Sequence, residues 1–216
     1  MDFSDWKIHK FDDTFNQIDV KNKTVADLCC LHGRAGARSL ERGAKYIKFI
    51  DAIDPIDELK TYFTIYDKDK WQHIKLDLSN EAQDLIKHLQ DVDICFYYGH
   101  LYHATNHFDI LKFLSLSNIK NLIIDTSWPL WLGDYDMWND KNGIMIHDFE
   151  TTDNHMHAFS NEYDKLYIGI PNKQWINSVV IDQFNWNVMS EDEMIIDFKN
   201  RQQVRYMIRL ARRNNE

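Results

Sequence analysis

The sequence predicts an α/β protein built on a doubly wound parallel sheet, and three observations carry this. Short apolar runs alternate with segments of helical spacing from residue 24 to residue 128. Strict alternation of that kind implies parallel strands, because each parallel return needs a crossover. One run, "DVDICFYYG" (91–99), is almost continuously apolar, as a strand buried on both faces must be. Carboxylates recur near the ends of successive predicted strands, at Asp27, Asp51 and Asp77, and an open α/β sheet binds its ligand at that edge.

The elements follow in order. "TVADLCCL" (24–31) reads as a first strand and "GARSLERG" as a helix, with Gly43 as its cap. "AKYIKFID" (44–51) is a second strand. "PIDELKTYFTIY" (55–66) opens on proline and carries apolar residues at helical spacing. "QHIKLDL" (72–78) alternates as a third strand, and "SNEAQDLIKHLQ" is a helix capped by Ser79 or Asn80. After the fourth strand come a helix, "HFDILKFLSLS" (107–117), and a fifth strand, "KNLIIDTSW" (120–128). "GIMIH" is a short strand and "NKQWINSVVIDQF" (172–184) an amphipathic helix. "NWNVMSEDE" and "QVRYMIRLAR" read as a closing antiparallel pair.

The whole chain, 1–216, is expected to form one domain, with an insertion or lid around 129–170. Hydrophobic residues make up 44% and aromatics 13%, enough for a packed core and too much for a disordered chain. The formal net charge is −9, which argues against a nucleic-acid partner, since phosphate binding needs a basic face. The one dense basic cluster, "RQQVRYMIRLARR", alternates like a strand with solvated arginines. Three cysteines, Cys29, Cys30 and Cys95, form no disulfide framework and fit a reducing cytoplasm. No apolar run reaches the length of a membrane span, and no signal peptide is visible.

The ligand edge should collect Asp27 to Gly33, Asp51, Asp77, Tyr98 to His103, and Asp125 to Trp128. Asp51 lies eighteen residues after Gly33 (51 − 33), close to the spacing at which an acid reaches ribose hydroxyls. A carboxylate suits that task because it can accept from both hydroxyls. Asp is also common in turns after strands, so each of these acids has a purely structural alternative.

The stretch "NKTVADLCCLHGRAGARSLERGAKYIKFID" resembles the first two strands of class I S-adenosylmethionine-dependent methyltransferases. Asp27, Cys30, Gly33, Gly43, Ala44 and Asp51 match in order and spacing. "DVDICFYYGHLYHATNHFDILKFL" is similar to the family's fourth strand and following helix. Its "LYH" resembles the branch of tRNA wobble-uridine carboxymethyltransferases and their small-molecule relatives. "IPNKQWINSVVIDQFNWNV" and "VRYMIRLARR" resemble that branch's late helix and last strand. The resemblance implies a Rossmann-like sheet of seven strands, mostly parallel, the last antiparallel. It implies S-adenosylmethionine as cofactor: Asp27 and the backbone of Cys29, Leu31 and Gly33 beside the methionine part, Asp51 on the ribose, Asp77 and Leu78 bordering the adenine, and Tyr98, Gly99 and His100 as the floor beside the sulfonium. The departures are Cys29 and Leu31, which stand where the family has glycines. Neither takes a positive φ easily, so the loop is expected to adopt an ordinary conformation with a shifted cofactor, or to bind weakly or not at all.

Methyl transfer mainly requires alignment, and a base only if the nucleophile must lose a proton. Tyr102 and His103 are the candidates for those roles. Their structural alternatives are packing under a lid and capping the next helix. His100, His103 and His107, with His155 and His157, show no metal-binding pattern, and no metal is expected. Cys29 and Cys30 read as packing residues rather than nucleophiles. The aromatic stretch "DTSWPLWLGDYDMW" is expected to wall the acceptor site. A small-molecule acceptor is favoured; RNA, or a non-catalytic binding protein on the same fold, is the alternative. The oligomeric state stays open.

Overall fold

The structure is a computed structural model. It describes residues 17–54, 68–104, 106–129, 144–150, 165–198 and 201–213, with side chains outside 128–169 and 196–203. Seven strands form one sheet: β1 (Thr24–Leu28), β2 (Tyr46–Asp51), β3 (Trp71–Lys75), β4 (Ile94–Tyr98), β5 (Asn121–Pro129), β8 (Trp186–Phe198) and β9 (Arg201–Arg212). Their order is β3-β2-β1-β4-β5-β9-β8. The five strands β1 to β5 pair in parallel. The last strand, β9, runs antiparallel to both β5 and β8, so it alone opposes the rest. β6 (Ile144–Glu150) and β7 (Lys165–Pro171) form a separate antiparallel pair.

The strand order reverses between β1 and β4, so the carboxyl ends of β2, β1, β4 and β5 share one edge around that point. Each face of the sheet has its own core. Leu28, Ile50, Tyr97, Ile124 and Ile208 belong to one, and Val25, Phe49, Phe96 and Ile123 to the other. The alternation of these positions along each strand explains why the central strands read as nearly unbroken apolar runs.

α1 (Arg34–Glu41) is capped as expected: Gly43 takes φ 85° and donates to the Leu40 carbonyl at 3.0 Å. The third helix differs from the sequence reading. It comprises α2 (Leu78–Glu81), a 3-10 turn (Ala82–Asp84) and α3 (Leu85–His88), and its cap is Asp77 rather than Ser79 or Asn80. β3 ends at Lys75, which leaves Asp77 extended, and its Oδ1 accepts the Ser79 amide at 2.9 Å. A 3-10 turn (Leu101–His103) precedes α4 (His107–Leu116). The late helix begins as α5 (Lys173–Asn177) and continues as a π turn (Ser178–Gln183). The helix expected over 55–66 and most of the aromatic stretch after β5 lie outside the described residues. Among the described residues, no helix is long and apolar enough to cross a membrane.

Candidate functional site

The loop after β1 keeps the left-handed backbone of a glycine loop without the glycines. Cys29 has φ 53°, Leu31 φ 44° and Gly33 φ 61°. The ordinary L-residue conformation expected for this loop is therefore not the one adopted. Long-range bonds hold the strained positions. The Cys29 amide donates to the Ile50 carbonyl at 2.7 Å, and the Leu31 amide donates to Asp51 Oδ2 at 2.9 Å. Such conformations persist only where the surroundings over-determine them.

Asp27 is 2% exposed, and its Oδ2 accepts the Gly36 amide at 2.8 Å, bracing the start of α1. Burial pushes its carboxyl up to about 7; the Gly36 bond opposes the shift and the Asp51 charge adds to it. Gly36 is the tightest glycine of this region. A Cβ at that position would lie 2.4 Å from Phe49 Cε1, so helix and strand approach too closely for any side chain. The spacing Gly33-x-x-Gly36 is the visible trace of this in the sequence.

Asp51, at the end of β2, is half-buried. Its Oδ1 accepts the Ile53 amide at 3.0 Å and its Oδ2 the Leu31 amide. A carboxylate offers about four acceptor positions, so roughly one remains on each oxygen. At the end of β3, Asp77 caps α2 and Leu78 is 4% exposed within the core. Leu31 and Ile53 are exposed apolar side chains whose backbones flank Asp51.

β4 ends in Tyr98, whose ring meets Phe96 edge-on at 5.4 Å. Burial pushes its phenol well above the usual range. Gly99 takes φ 69° and donates its amide to the Asp125 carbonyl at 2.9 Å, tying the turn to β5. His100 is held to about 4, chiefly by burial, and its Nδ1 lies 3.0 Å from the Tyr97 hydroxyl. At neutral pH it is an uncharged ring. Tyr102 and His103 sit together on the 3-10 turn with ring centroids 4.2 Å apart. The next helix is not capped by His103, since Asn106 occupies the N-cap position. β7 passes beside this turn and beside β5, which brings part of the 129–170 insertion to the same edge.

One residue of this edge, Arg205, escaped sequence reasoning. Arg205 on β9 pairs side-on with Asp125 on β5: Nε lies 2.6 Å from Oδ1, and Nη2 contacts Oδ2. Its Cζ is 5.8 Å from the Tyr102 ring centroid. A Cβ at Gly99 would lie 3.6 Å from both Arg205 Nη2 and the Tyr102 hydroxyl. The turn after β4 is thus packed against an ion pair whose two members lie eighty residues apart in the chain. No local pattern signals such a pairing.

Among the described residues no group of three or more His, Cys, Asp or Glu side chains could hold a metal ion. His155 and His157 lie outside the described residues. All three cysteines are unpaired. Burial pushes all three thiols up, which suits packing and not nucleophilic work.

The strand order, the single reversed strand and the ligand edge define the fold of class I S-adenosylmethionine-dependent methyltransferases. No protein-family model matches the chain, and no curated sequence does. Solved structures do match. One is a protein of Listeria monocytogenes described as an S-adenosylmethionine-dependent methyltransferase, at TM-score 0.68 and 14% identity over 95% of this chain and 97% of that one. Another is an S-adenosylmethionine-dependent methyltransferase of Mesorhizobium loti, at TM-score 0.64 and 10% identity over 96% and 99%. A third is the magnesium protoporphyrin IX methyltransferase of Synechocystis with bound S-adenosylhomocysteine, at TM-score 0.61 and 11% identity over 95% and 81%. At these identities the likeness is one of fold.

Proposed function

We propose that the protein is a cytoplasmic S-adenosylmethionine-dependent methyltransferase acting on a small molecule. The observation that carries this reading is the loop after β1. It retains left-handed backbone at positions 29, 31 and 33 beside a half-buried carboxylate, Asp51, with an acceptor position left on each oxygen. A loop that only had to turn would not need three such residues in five.

Bound at this edge, the cofactor would supply a methyl group on a carbon activated by positive sulfur. Asp51 would accept the two ribose hydroxyls. Cys29, Leu31 and Gly33 would line the methionine part with backbone, over the Asp27 brace. Asp77 and Leu78 would border the adenine through the turn between β3 and α2. Tyr98, Gly99 and the uncharged His100 would form the floor, where the missing side chain of Gly99 leaves room. Tyr102 would orient the acceptor, and His103 would take its proton if one must leave. The main work is alignment.

A small acceptor is favoured over RNA by the state of the basic strand. Arg205 is paired with Asp125, Arg209 donates to the Gln17 carbonyl, and Arg212 donates to the carbonyls of Ser115, Ser117 and Ile119. These guanidinium groups serve the fold rather than forming a phosphate-binding face. Calorimetric titration with S-adenosylmethionine and S-adenosylhomocysteine tests the reading. Saturable binding of both is expected; no heat at millimolar ligand would overturn it in favour of a non-catalytic role.

A further inference from the structure

We propose that Asp51 is a positioning residue that stands in for a missing glycine, holding the cofactor loop in its left-handed shape at Leu31 as well as facing the ribose. The inference rests on the methyltransferase reading for its ligand, and on loop geometry alone for its mechanism. A left-handed residue with a Cβ is disfavoured by roughly 1–2 kcal/mol, so Cys29 and Leu31 need a tertiary restraint. Leu31 is 53% exposed, so core packing of its side chain does not supply one. Two backbone-amide hydrogen bonds do. The Cys29 amide is fixed to Ile50 and the Leu31 amide to the carboxylate of the next residue, so adjacent positions on β2 hold alternate positions of the loop. The Ile53 amide, bonded to the other oxygen, fixes the carboxylate from the far side.

Three features make this a clasp and not a chance contact. The donor is a backbone amide, so its position is set by the chain. The bond is charge-assisted, stronger than a neutral one. Both oxygens are engaged, one by the loop after β1 and one by the turn after β2. The remaining acceptor positions then present a fixed pair to a vicinal diol. Loop shape and diol recognition are coupled through one group: loss of the carboxylate affects both at once.

Two measurements separate the clasp from the ribose contact. The first uses no ligand. Amide hydrogen exchange at residue 31 is followed by NMR in the wild type, in Asp51→Asn and in Asp51→Glu. The Asn side chain has one accepting oxygen for two amide donors and no charge, and the Glu side chain is one methylene too long. Exchange is expected to accelerate about tenfold or more in both, the scale of a lost bond to a charged group. Unchanged exchange in the folded variants would overturn the clasp. The second uses S-adenosylhomocysteine in a double-mutant cycle of Asp51→Asn with Leu31→Gly. With Leu31 present, Asn is expected to weaken binding at least about tenfold; with glycine at 31, the loss should shrink to about threefold. Equal losses in both backgrounds would show that Asp51 acts on the ribose alone and would sink the proposal. If the wild type does not bind the probe, the methyltransferase reading fails, and the exchange experiment still decides the clasp.

Discussion

Arg205 and Asp125 form a side-on ion pair across β5 and β9, with Nε 2.6 Å from Oδ1, beneath the turn that carries Tyr102. Both side chains are largely buried, at 13% and 7% exposure. Removing one partner leaves the other charge without its counter-ion in the interior. Asp125→Asn is therefore expected to destabilise the fold by about 3–5 kcal/mol. Replacing both residues with apolar ones of similar size should cost less than either single change. Urea unfolding of the three variants checks this; additive losses would show that the pair is not coupled.

The carboxyl of Asp27 makes stability depend on pH in a defined direction. Its folded value is about 7 against a normal value of 3.8. A raised folded value means that the native state holds the proton more tightly. The linked stability is fully present below pH 4 and is lost as the pH rises through 7. The size is about 4 kcal/mol for a shift of roughly three units. Comparison with Asp27→Asn cancels the other carboxylates. The stability of wild type minus variant should fall steadily across that window, and a flat difference would mean that Asp27 is ionised throughout.

Gly36 meets Phe49 with no space between them, at 2.4 Å from a Cβ to the ring edge. Gly36→Ala should destabilise by about 1–3 kcal/mol through overpacking, although alanine favours a helix. Truncating the obstacle in Gly36→Ala/Phe49→Leu should recover part of the loss relative to Phe49→Leu alone. Thermal unfolding of the four proteins gives the answer.

Leu31→Gly should raise stability slightly, by about 0.5 kcal/mol. Relief of the left-handed conformation gains about 1 kcal/mol, and the greater freedom of glycine in the unfolded chain takes part of it back. Little burial is lost, since the side chain is half exposed. A drop of more than about 1 kcal/mol would mean that this leucine packs in the native protein.

The parallel, doubly wound sheet could be read from the sequence because it rests on alternation, which each segment reports for itself. The closing antiparallel pair was visible for the same reason, and so was the Gly43 cap. Asp77 as a cap was missed because strand three stops three residues earlier than its apolar alternation suggests. The site was half visible. Asp27, Asp51 and Gly99 stand at strand ends that the pattern locates. The shape of the loop could not be read, because local propensity argues against positive φ at Cys29 and Leu31, and only bonds to a different strand overrule it. Arg205 could not be read because its partner is distant in the chain.

A loop held at Leu31 by a carboxylate rather than by a glycine changes what evolution must preserve. Substitution at position 31 becomes tolerable while Asp51 remains, so selection on the signature moves from the turn to the acid on the neighbouring strand. Among descendants of the same ancestor, glycine-poor versions of this loop should retain an acid at position 51, and versions that regain glycine should be freer to lose it.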